Sequence, residues 1–600
     1  MASDIARLEG FGTRVTGYKG CYAAAAWVEN RLRDIGFTDI EVQEYDIPVP
    51  VALDRAECLR TPSMPGAPPA ADSAFRLPDD ELPLWEPQPD VLPEHAATLT
   101  LVGAGAEFGA GGAASEQEFV LHPLWPNLAR TSQLPPDGVE GHLMYVGKGG
   151  LADYNNRDVE GAILLIDFNS GLNWLNAPLL GAAAVVFIEP DDTVRGEAET
   201  KFLRVPVSVP RFWIDGRSAM KLRACLSAAN GGPPGNTARP LRGVLKCNMP
   251  WMERQGKNII AFVPGRELAR EAIVIEAYYD SISVVPSLAP GAENAAGLAA
   301  FLQLAKTLKQ HPPRRSVILL ATSGHFEAMA GAREFVDLWG KEPRKPREKG
   351  DRLEELQHQL RAVRNEQTAR ESETTMLLEK QRDAGGELKP EDASRLARLQ
   401  GLARRLDRRR KRLEHDIALH QRLLAFERMP MFIAIDLNSR SPTFGAFQIG
   451  WYYQQQHLMR FYSPVGKRLM QYAEDIAAAL GVAPGDVFID GINPVKGREW
   501  YTHFPGKICF DSEMAIRGGR PGIAFATIND ARPLVDTPLD RVERLNMPNL
   551  VGQTRMLVCL IHDFVNDETH ETNALKRVKA LKKLDELKDI TGSVLEFRRK

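Results

Sequence analysis

The sequence predicts an α/β protein with a mixed, mostly parallel sheet flanked by helices, together with a β-rich domain and an antiparallel coiled-coil hairpin. Three observations predict this class. Residues 257–340 alternate strand, helix, strand and helix, which is typical of a parallel sheet covered by helices. Short apolar runs separated by glycine fill residues 95–245. Residues 346–428 repeat leucine at the spacing of packed helices.

The N-terminal part, residues 1–50, predicts one helix and one strand. The helix covers residues 23–35 and ends at Gly36, a residue type favoured just beyond helix C-termini. Apolar residues then alternate over residues 40–47, as they do in a half-buried strand. Residues 51–95 are rich in proline, alanine and aspartate and predict an extended connector.

The β-rich domain spans residues 96–245. Its predicted strands lie at residues 99–102, 143–146, 162–166 and 182–188. Gly103 and Gly105 follow the first of these strands, as in a dinucleotide-binding loop. In such a loop the third glycine would stand at position 108, but this residue is Phe108 and the next glycine is Gly109. No helical pattern follows. We interpret this segment as a glycine-rich turn.

The α/β pattern occupies two separate parts of the chain, residues 250–345 and residues 429–570. The first part predicts strands at 272–276 and 316–321 and helices at 297–308 and 328–339. In the second part the predicted strands cover 432–436 and 522–527 and the helices 469–480 and 550–566. The two parts together predict one sheet, because short buried strands need neighbours on both sides.

Residues 346–428 interrupt this pattern with a segment dense in arginine, glutamate, glutamine and leucine. Leucines follow each other at three and four residues in the first half and at seven residues in the second half, at Leu399, Leu406 and Leu413. A glycine and proline segment at 384–390 separates the halves. We predict an antiparallel hairpin whose arms are each about 50 Å long.

The basic run at residues 404–412 is interpreted as a solvated helix face, because glutamates surround it; binding of nucleic acid or acidic lipid is the alternative. The formal net charge of −3 argues against a general affinity for nucleic acid or anionic membranes. Residues 571–600 form a C-terminal tail in which a basic amphipathic helix is predicted at 574–588.

Composition sets further limits on the class of protein. The length of 600 residues predicts several domains. The six cysteines are scattered without a C-x-x-C pair, so neither a disulfide framework nor a cysteine zinc site is expected. The apolar runs are too short for a transmembrane helix, and the first residues contain no apolar signal core. The compartment stays open, as does the possibility that the chain is a fragment of a longer protein.

Three groups of motifs carry a specific resemblance. They are residues 276–281 with 290–297, residues 323–332, and residues 435–437 with 535–540. In this order they resemble the family of bacterial zinc aminopeptidases, glutamate carboxypeptidase and transferrin receptor. Residues 14–20 resemble the N-terminal segment of this family, and residues 140–215 resemble its inserted protease-associated domain. The resemblance implies a zinc-aminopeptidase-like sheet whose site lies at the carboxyl ends of the strands.

In that family two zinc ions share a carboxylate, and the resemblance assigns each ligand position to a residue here. The first histidine ligand falls on Tyr278 and the bridging aspartate on Glu293. A glutamate ligand falls on Phe326 and the last histidine ligand on Asp536, whereas one aspartate ligand is kept as Asp436.

Two catalytic positions of the family follow in the same way. The glutamate that acts as general base on the metal-bound water falls on His325. The aspartate that supports the first histidine ligand is kept as Asp280. We treat both as vestigial positions. His325 is either a base or only the partner of a carboxylate, and Asp280 either supports a site or caps a loop.

The substituted residues are poor zinc ligands. A phenyl ring at Phe326 has no lone pair to donate, so one zinc site is left with Glu293 and Asp536. The other site would hold Tyr278, Glu293 and Asp436, and such an oxygen trio favours a hard cation such as magnesium, calcium or manganese. We therefore expect no cofactor, with one divalent cation as the alternative.

Without a metal, the clustered carboxylates need a proton or a basic neighbour, and His325 is the candidate. Tyr278 and Phe326 would then pack the vacated space. His457 and His503 have no ligand spacing, so surface or core roles are expected for them.

The sequence thus predicts a catalytically inactive peptidase homologue that binds a peptide or protein, with the hairpin as a docking element and an oligomer as a further possibility. A metal-dependent aminopeptidase or other exopeptidase with non-standard ligands, zinc among its candidate metals, is the alternative. A coiled-coil scaffold on a stable peptidase-like platform is a third interpretation, and a different reaction in the same cleft is a fourth.

Overall fold

The structure, a computed structural model, describes residues 1–53, 96–102, 117–202, 207–230, 240–340, 351–383, 385–386, 388–452, 459–495 and 497–567. It contains an eight-stranded sheet, a closed seven-stranded barrel and a pair of long helices. The predicted fold class is confirmed. Most of the connector, the turn at Gly103 and the C-terminal helix lie outside the described residues, as does His457.

The strands are, in chain order, β1 Ile40–Pro50, β2 Ala97–Val102, β3 Glu118–Pro123, β4 Val139–Tyr145, β5 Ile163–Asp167, β6 Ala184–Ile188, β7 Arg211–Ile214, β8 Arg242–Cys247, β9 Trp251–Val263, β10 Leu268–Tyr278, β11 Arg315–Thr322, β12 Phe432–Asp436, β13 Phe444–Phe447, β14 Phe488–Asp490 and β15 Gly522–Thr527. The helices are α1 Ala2–Glu9, α2 Lys19–Ile35, α3 Asn176–Leu179, α4 Arg195–Phe202, α5 Gly216–Asn230, α6 Ala295–Gln310, α7 Ala330–Trp339, α8 Asp351–Asp383, α9 Pro390–Leu424, α10 Met459–Leu480, α11 Pro484–Val487, α12 Ser512–Arg517 and α13 Met547–Asn566.

The sheet has the strand order β1-β9-β11-β10-β12-β15-β13-β14. Its centre, from β11 through β10 and β12 to β15, is parallel, whereas β1, β9 and β13 pair in antiparallel fashion. The central strands are almost entirely buried, which explains their continuous apolar sequences. Because they run parallel, their carboxyl ends meet at one edge of the sheet, where an α/β protein usually has its site.

The two faces of the sheet are covered differently. One face packs against α1, α2, α6, α10 and α13. On the other face lie α7, α12 and the lower part of the hairpin, which contributes Leu356, Val363, Leu406 and Leu413. Helix α10 begins about ten residues before the predicted start, because Pro464 disguises its first turns in the sequence.

The barrel closes in the order β2-β3-β7-β6-β5-β4-β8. It is joined to the sheet domain by the segment that follows β10. Val284 and Val285 of this segment are fully buried in an apolar cluster of the barrel domain, and the N–H of Trp125 donates to the carbonyl oxygen of Val284 at 2.7 Å. The domains therefore share buried apolar surface beside the strand ends.

The hairpin has two antiparallel arms of 33 and 35 residues, α8 and α9. Its base is attached to edge strand β1 by ion pairs from Arg412 to Asp46 and from Arg422 to Glu41. A separate small apolar cluster near the tip contains Leu377, Leu396 and Leu399. Within the described ranges, no helix combines the length and apolar character required to cross a bilayer.

Candidate functional site

The candidate site lies where four parallel strands end. Tyr278 is the last residue of β10, and Asp436 is the last residue of β12. His325 follows the end of β11, and Arg532 follows the end of β15. The strand order places these chain ends side by side, so residues far apart in sequence share one cleft.

Asp436 is held by two neighbours that both bind its Oδ1 atom, whereas its buried Oδ2 atom has no hydrogen-bond partner among the described residues. The Nη1 atom of Arg532 lies 3.0 Å from Oδ1 of Asp436, and both side chains are nearly buried. The hydroxyl of Tyr278 donates to the same oxygen at 3.2 Å. Burial, followed by the charge of Asp436, raises the pKa of Tyr278 well above its usual value. The phenol therefore stays neutral and acts as a hydrogen-bond donor, since ligation would require the phenolate.

Three rings fill the space beside this carboxylate. The rings of Tyr278 and His325 stack with centroids 4.0 Å apart and planes tilted by 17°. Phe326 meets both rings edge-on, at 5.8 Å from Tyr278 and 4.8 Å from His325. Offset-stacked and edge-to-face contacts are the favoured geometries of aromatic pairs. Tyr278, Phe326 and His325 thus pack against one another.

His325 has a carboxylate partner that the sequence did not reveal. Its Nδ1 atom lies 2.5 Å from Oδ2 of Asp511, which precedes α12. Burial alone would lower the pKa of His325, but the charge of Asp511 and the hydrogen bond to it raise that pKa to about 9. At neutral pH the imidazole is consequently protonated, and a protonated ring cannot accept a proton as a base.

Asp280 supports the loop that carries His325. The side-chain Oδ2 of Asp280 accepts hydrogen bonds from the backbone N–H of His325 at 3.1 Å and from the hydroxyl of Thr16 at 3.2 Å. Burial raises the pKa of Asp280 to about 6 and that of nearby Glu327 to about 8. Asp280 thus holds this loop through the two hydrogen bonds that it accepts.

Glu293 has both carboxylate oxygens occupied by one residue. Oε2 accepts the backbone N–H of Ser439, and Oε1 accepts its hydroxyl, both at 2.7 Å. The Nε atom of Arg440 lies farther away, 3.9 Å from Oε1 of Glu293. The backbone N–H of Glu293 itself donates to Asp540 at 2.9 Å. A bridging ligand needs both oxygens free to face two metals, and here hydrogen-bond donors take that place.

Asp536 receives its counter-charge from the barrel domain. The Nε atom of Arg195, the first residue of α4, lies 2.9 Å from Oδ2 of Asp536. The two residues are 341 positions apart in sequence. Asp536 also has a left-handed backbone, with φ of 70°. This conformation is uncommon outside glycine, and aspartate is among the residues that tolerate it best.

The arrangement does not fit a pair of zinc ions. Two of the ligand positions that the resemblance assigns hold aromatic residues, and the carboxylates Asp436 and Asp536 each bind an arginine. In the part of the chain that the structure describes, no group of three or more His, Cys, Asp or Glu side chains has an arrangement able to hold a metal ion. The chemistry of the donor set agrees, because zinc requires nitrogen, thiolate or free carboxylate donors.

Sequence reasoning identified the strand-end positions but missed their partners. From the sequence, His325 was the candidate basic neighbour for the clustered carboxylates. In the structure His325 is bonded to Asp511. Arginines form the ion pairs with Asp436 and Asp536. Arg532 was detectable in principle, because it follows a buried strand. No signal in the sequence pointed to Arg195, since it belongs to the other domain.

Comparison with known proteins finds one family profile similar to part of the chain. Residues 258–382 match the profile described as peptidase family M28. An 84-residue segment is 31% identical to a vacuolar membrane protease of Schizophyllum commune. That match covers 14% of this chain and 9% of the protease, so the chain spans only a small part of this relative.

Solved structures with similar coordinates include three bacterial proteins. A zinc aminopeptidase from Bacillus subtilis is 14% identical, with 94% of this chain and 95% of the other covered and a TM-score of 0.46. An aminopeptidase from Aneurinibacillus sp. strain AM-1 is 15% identical, with coverage of 94% and 93% and a TM-score of 0.37. A peptidase M28 precursor from Shewanella amazonensis is 13% identical, with coverage of 94% and 93% and a TM-score of 0.42.

Proposed function

We propose that this chain is a catalytically inactive homologue of the M28 peptidases that binds a peptide or protein partner. The observation that supports it best is the pairing of Asp436 with Arg532 at the position of a metal ligand. A guanidinium group at this distance supplies the positive charge that a metal would otherwise supply, and it repels a metal from the same carboxylate.

The remaining ligand positions support the same proposal. Phe326 offers no donor atom, Tyr278 is held as a neutral phenol, and Asp536 is bound to Arg195. A metal-activated water needs at least three protein ligands and an adjacent base. His325, protonated and paired with Asp511, is not available as that base.

Metal content and peptidase activity test the proposal directly. The purified chain is incubated with zinc, manganese and magnesium in turn, passed over a desalting column and analysed for metal. It is then assayed with aminoacyl p-nitroanilides of apolar, basic and acidic residues. We expect less than one tenth of an equivalent of any metal and no hydrolysis above a blank. Two equivalents of zinc together with hydrolysis would establish the alternative, an exopeptidase with non-standard ligands.

The hairpin is proposed as the element that docks the partner. Its base is packed on the sheet domain, whereas its outer half has a separate small apolar cluster near the tip. Met376 and Leu378, both on this outer half, are exposed by 63% and 43%. Ordering such an arm costs conformational entropy without adding to the main core, so a role outside folding is the better explanation.

A truncation can test the hairpin without damaging the fold. Replacing residues 367–405 by a short glycine and serine turn keeps Leu356, Val363, Leu406 and Leu413 in the core. We expect the shortened chain to fold like the full chain and to lose its partner or assembly in a co-purification from the source cells. Retention of every partner would place binding elsewhere, in the cleft or in the barrel.

A further inference from the structure

We infer that Arg195 of the barrel domain replaces a metal ion as the counter-charge of Asp536 and thereby fixes the barrel to the sheet domain. The remnant of the metal site would then be a structural junction between two domains. This inference rests on the proposed absence of zinc at Asp536, and it goes further by assigning the altered site a purpose in the architecture.

Interactions within its own helix do not account for an arginine at position 195. It is the first residue of α4, where the helix dipole disfavours a positive charge. Glu199, one turn later, lies 2.9 Å from the Nε atom of Arg195 and helps to orient it. The guanidinium nevertheless points away from the barrel to Asp536, and the backbone N–H of Arg195 donates to the carbonyl oxygen of Pro533 at 2.6 Å. Both contacts attach α4 to the loop that follows β15.

Asp536 serves as a connection in a second way. The backbone N–H of Val284 donates to the carbonyl oxygen of Asp536 at 2.8 Å, and Ser283 pairs with Asp536 as an isolated parallel bridge. The side chain of Val284 is buried in the apolar cluster of the barrel domain. Asp536 thus binds the barrel domain through its side chain. Through its backbone, Asp536 also holds the segment that inserts into the barrel domain.

The ion pair is placed where it contributes to stability. The side chain of Asp536 is only 7% exposed and that of Arg195 25% exposed. An ion pair this well shielded from water is weakened less by salt than a surface pair. Arginine suits the role because its planar group offers several fixed donors and keeps its charge at every accessible pH.

The same domain interface contains a second ion pair that serves as a matched control. Arg544 Nη1 lies 2.8 Å from Oδ1 of Asp192, and these side chains are 40% and 70% exposed. Like the first pair, it joins the barrel to the sheet domain. Because exposed pairs contribute little to stability, its removal should leave the junction intact.

Hydrogen exchange measured by mass spectrometry tests the inference on the full chain. The variants are Arg195→Gln, Asp536→Asn, the combination of both, and the control Arg544→Gln. We expect exchange in residues 192–202 and 530–540 to become about tenfold faster or more in each single variant, because local opening becomes easier. The combined variant should be no faster than the faster single variant, since both remove one interaction. The control should exchange like the parent chain.

Unchanged exchange in Arg195→Gln, or an equal effect of Arg544→Gln, would overturn the inference. If Arg195→Gln does not fold, Arg195→Lys keeps the charge but loses the planar group, and its exchange should lie between those of the parent and the Asp536→Asn variant. Metal analysis of the same preparations separates the two proposals. Bound zinc in the parent chain contradicts the proposed function, whereas unchanged exchange contradicts only the domain junction.

Discussion

At the residue scale, the candidate site shows how buried carboxylates at the ends of parallel strands are balanced by arginines. Asp436 and Asp536 are buried carboxylates, and a buried carboxylate needs a compensating positive charge. Arg532 and Arg195 provide it, while the rings of Tyr278, His325 and Phe326 occupy the adjoining space.

Replacing Arg532 by glutamine should destabilise the fold strongly. The substitution leaves Asp436 buried without its cationic partner, and breaking such a pair on one side costs about 3–5 kcal/mol. Adding Asp436→Asn should recover part of that loss, because no uncompensated charge remains. Urea denaturation of the parent, both single variants and the combined variant measures these changes in the free energy of unfolding. Equal stability of Arg532→Gln and the parent chain would show that the pair does not balance the site.

The ion pair of His325 and Asp511 predicts a pH dependence of stability. The pKa of His325 is about 9 in the folded chain, above its value of about 6.5 in an unfolded chain. The stabilising contribution of the protonated ring is therefore fully present below about pH 6.5, and it is lost as pH rises through about 9.

The free energy of unfolding should be compared for the parent and His325→Gln between pH 6 and pH 9.5. The difference should be constant at the acidic end, on the order of 1–3 kcal/mol, and should shrink as the pH approaches 9. His503→Gln is the control, because burial lowers the pKa of His503 and no carboxylate is bonded to it among the described residues. If the difference in the free energy of unfolding between the parent and His325→Gln grew with pH, His325 would not be the protonated member of an ion pair.

At the element scale, the hairpin consists of a base and a tip with different surroundings. Leu413 on the base is buried against the sheet domain, together with Leu356, Leu406 and Leu419. Leu377 near the tip belongs only to the small separate cluster. Although both leucines are buried, only the first is part of a core shared with the sheet. The same side-chain truncation should therefore have different consequences at the two places.

Leu413→Ala should lower the free energy of global unfolding by about 2–5 kcal/mol, because it leaves a cavity in the main core. Leu377→Ala should leave global unfolding almost unchanged and accelerate hydrogen exchange only in the outer turns of α8 and α9. Calorimetry combined with hydrogen exchange distinguishes these results. Similar losses of global stability in both variants would mean that the hairpin unfolds with the core as one unit.

At the scale of the whole molecule, barrel and sheet are connected by apolar packing as well as by charge. Val284 and Val285 are fully buried within the apolar cluster of the barrel domain. The segment that carries them lies between Asp280 and Glu293, two residues of the candidate site. The barrel is thus attached to the loops that form the site, and the two domains should behave as one cooperative unit.

Truncating both valines to alanine should weaken the connection between the domains. Calorimetry of the parent chain should give one main transition, and the double variant should be less stable by about 2 kcal/mol or more, with the transition split in two. Val495→Ala is the control, since Val495 is 75% exposed. Two separate transitions in the parent chain would show that the domains unfold independently.

Much of the fold was predictable from local patterns. The strand predicted at residues 522–527 coincides with β15, and the helix predicted to end at Gly36 does so, with that glycine in a left-handed conformation at φ of 107°. The breaker at residues 384–390 separates α8 from α9 as expected. These features depend on periodicity and on the preferences of glycine and proline, which act over a few residues.

The candidate site was predictable only in part. Tyr278 and Asp436 fall at the ends of strands that their apolar sequences reveal, so their positions followed from the sequence. Arg195 and Asp511 did not, because they approach the cleft from segments distant in sequence. A charged residue on a loop carries no periodic signal that indicates its partner.

The sequence by itself determined the class of fold and the existence of the hairpin, and the family resemblance assigned zinc-ligand positions to Tyr278 and Phe326. Only the tertiary structure decided what balances the remaining carboxylates: Arg532 from the loop after β15 and Arg195 from the barrel domain. The physical reason is that side-chain types and short-range periodicity are local properties of a chain, whereas charge compensation depends on which distant segments folding brings within a few ångströms.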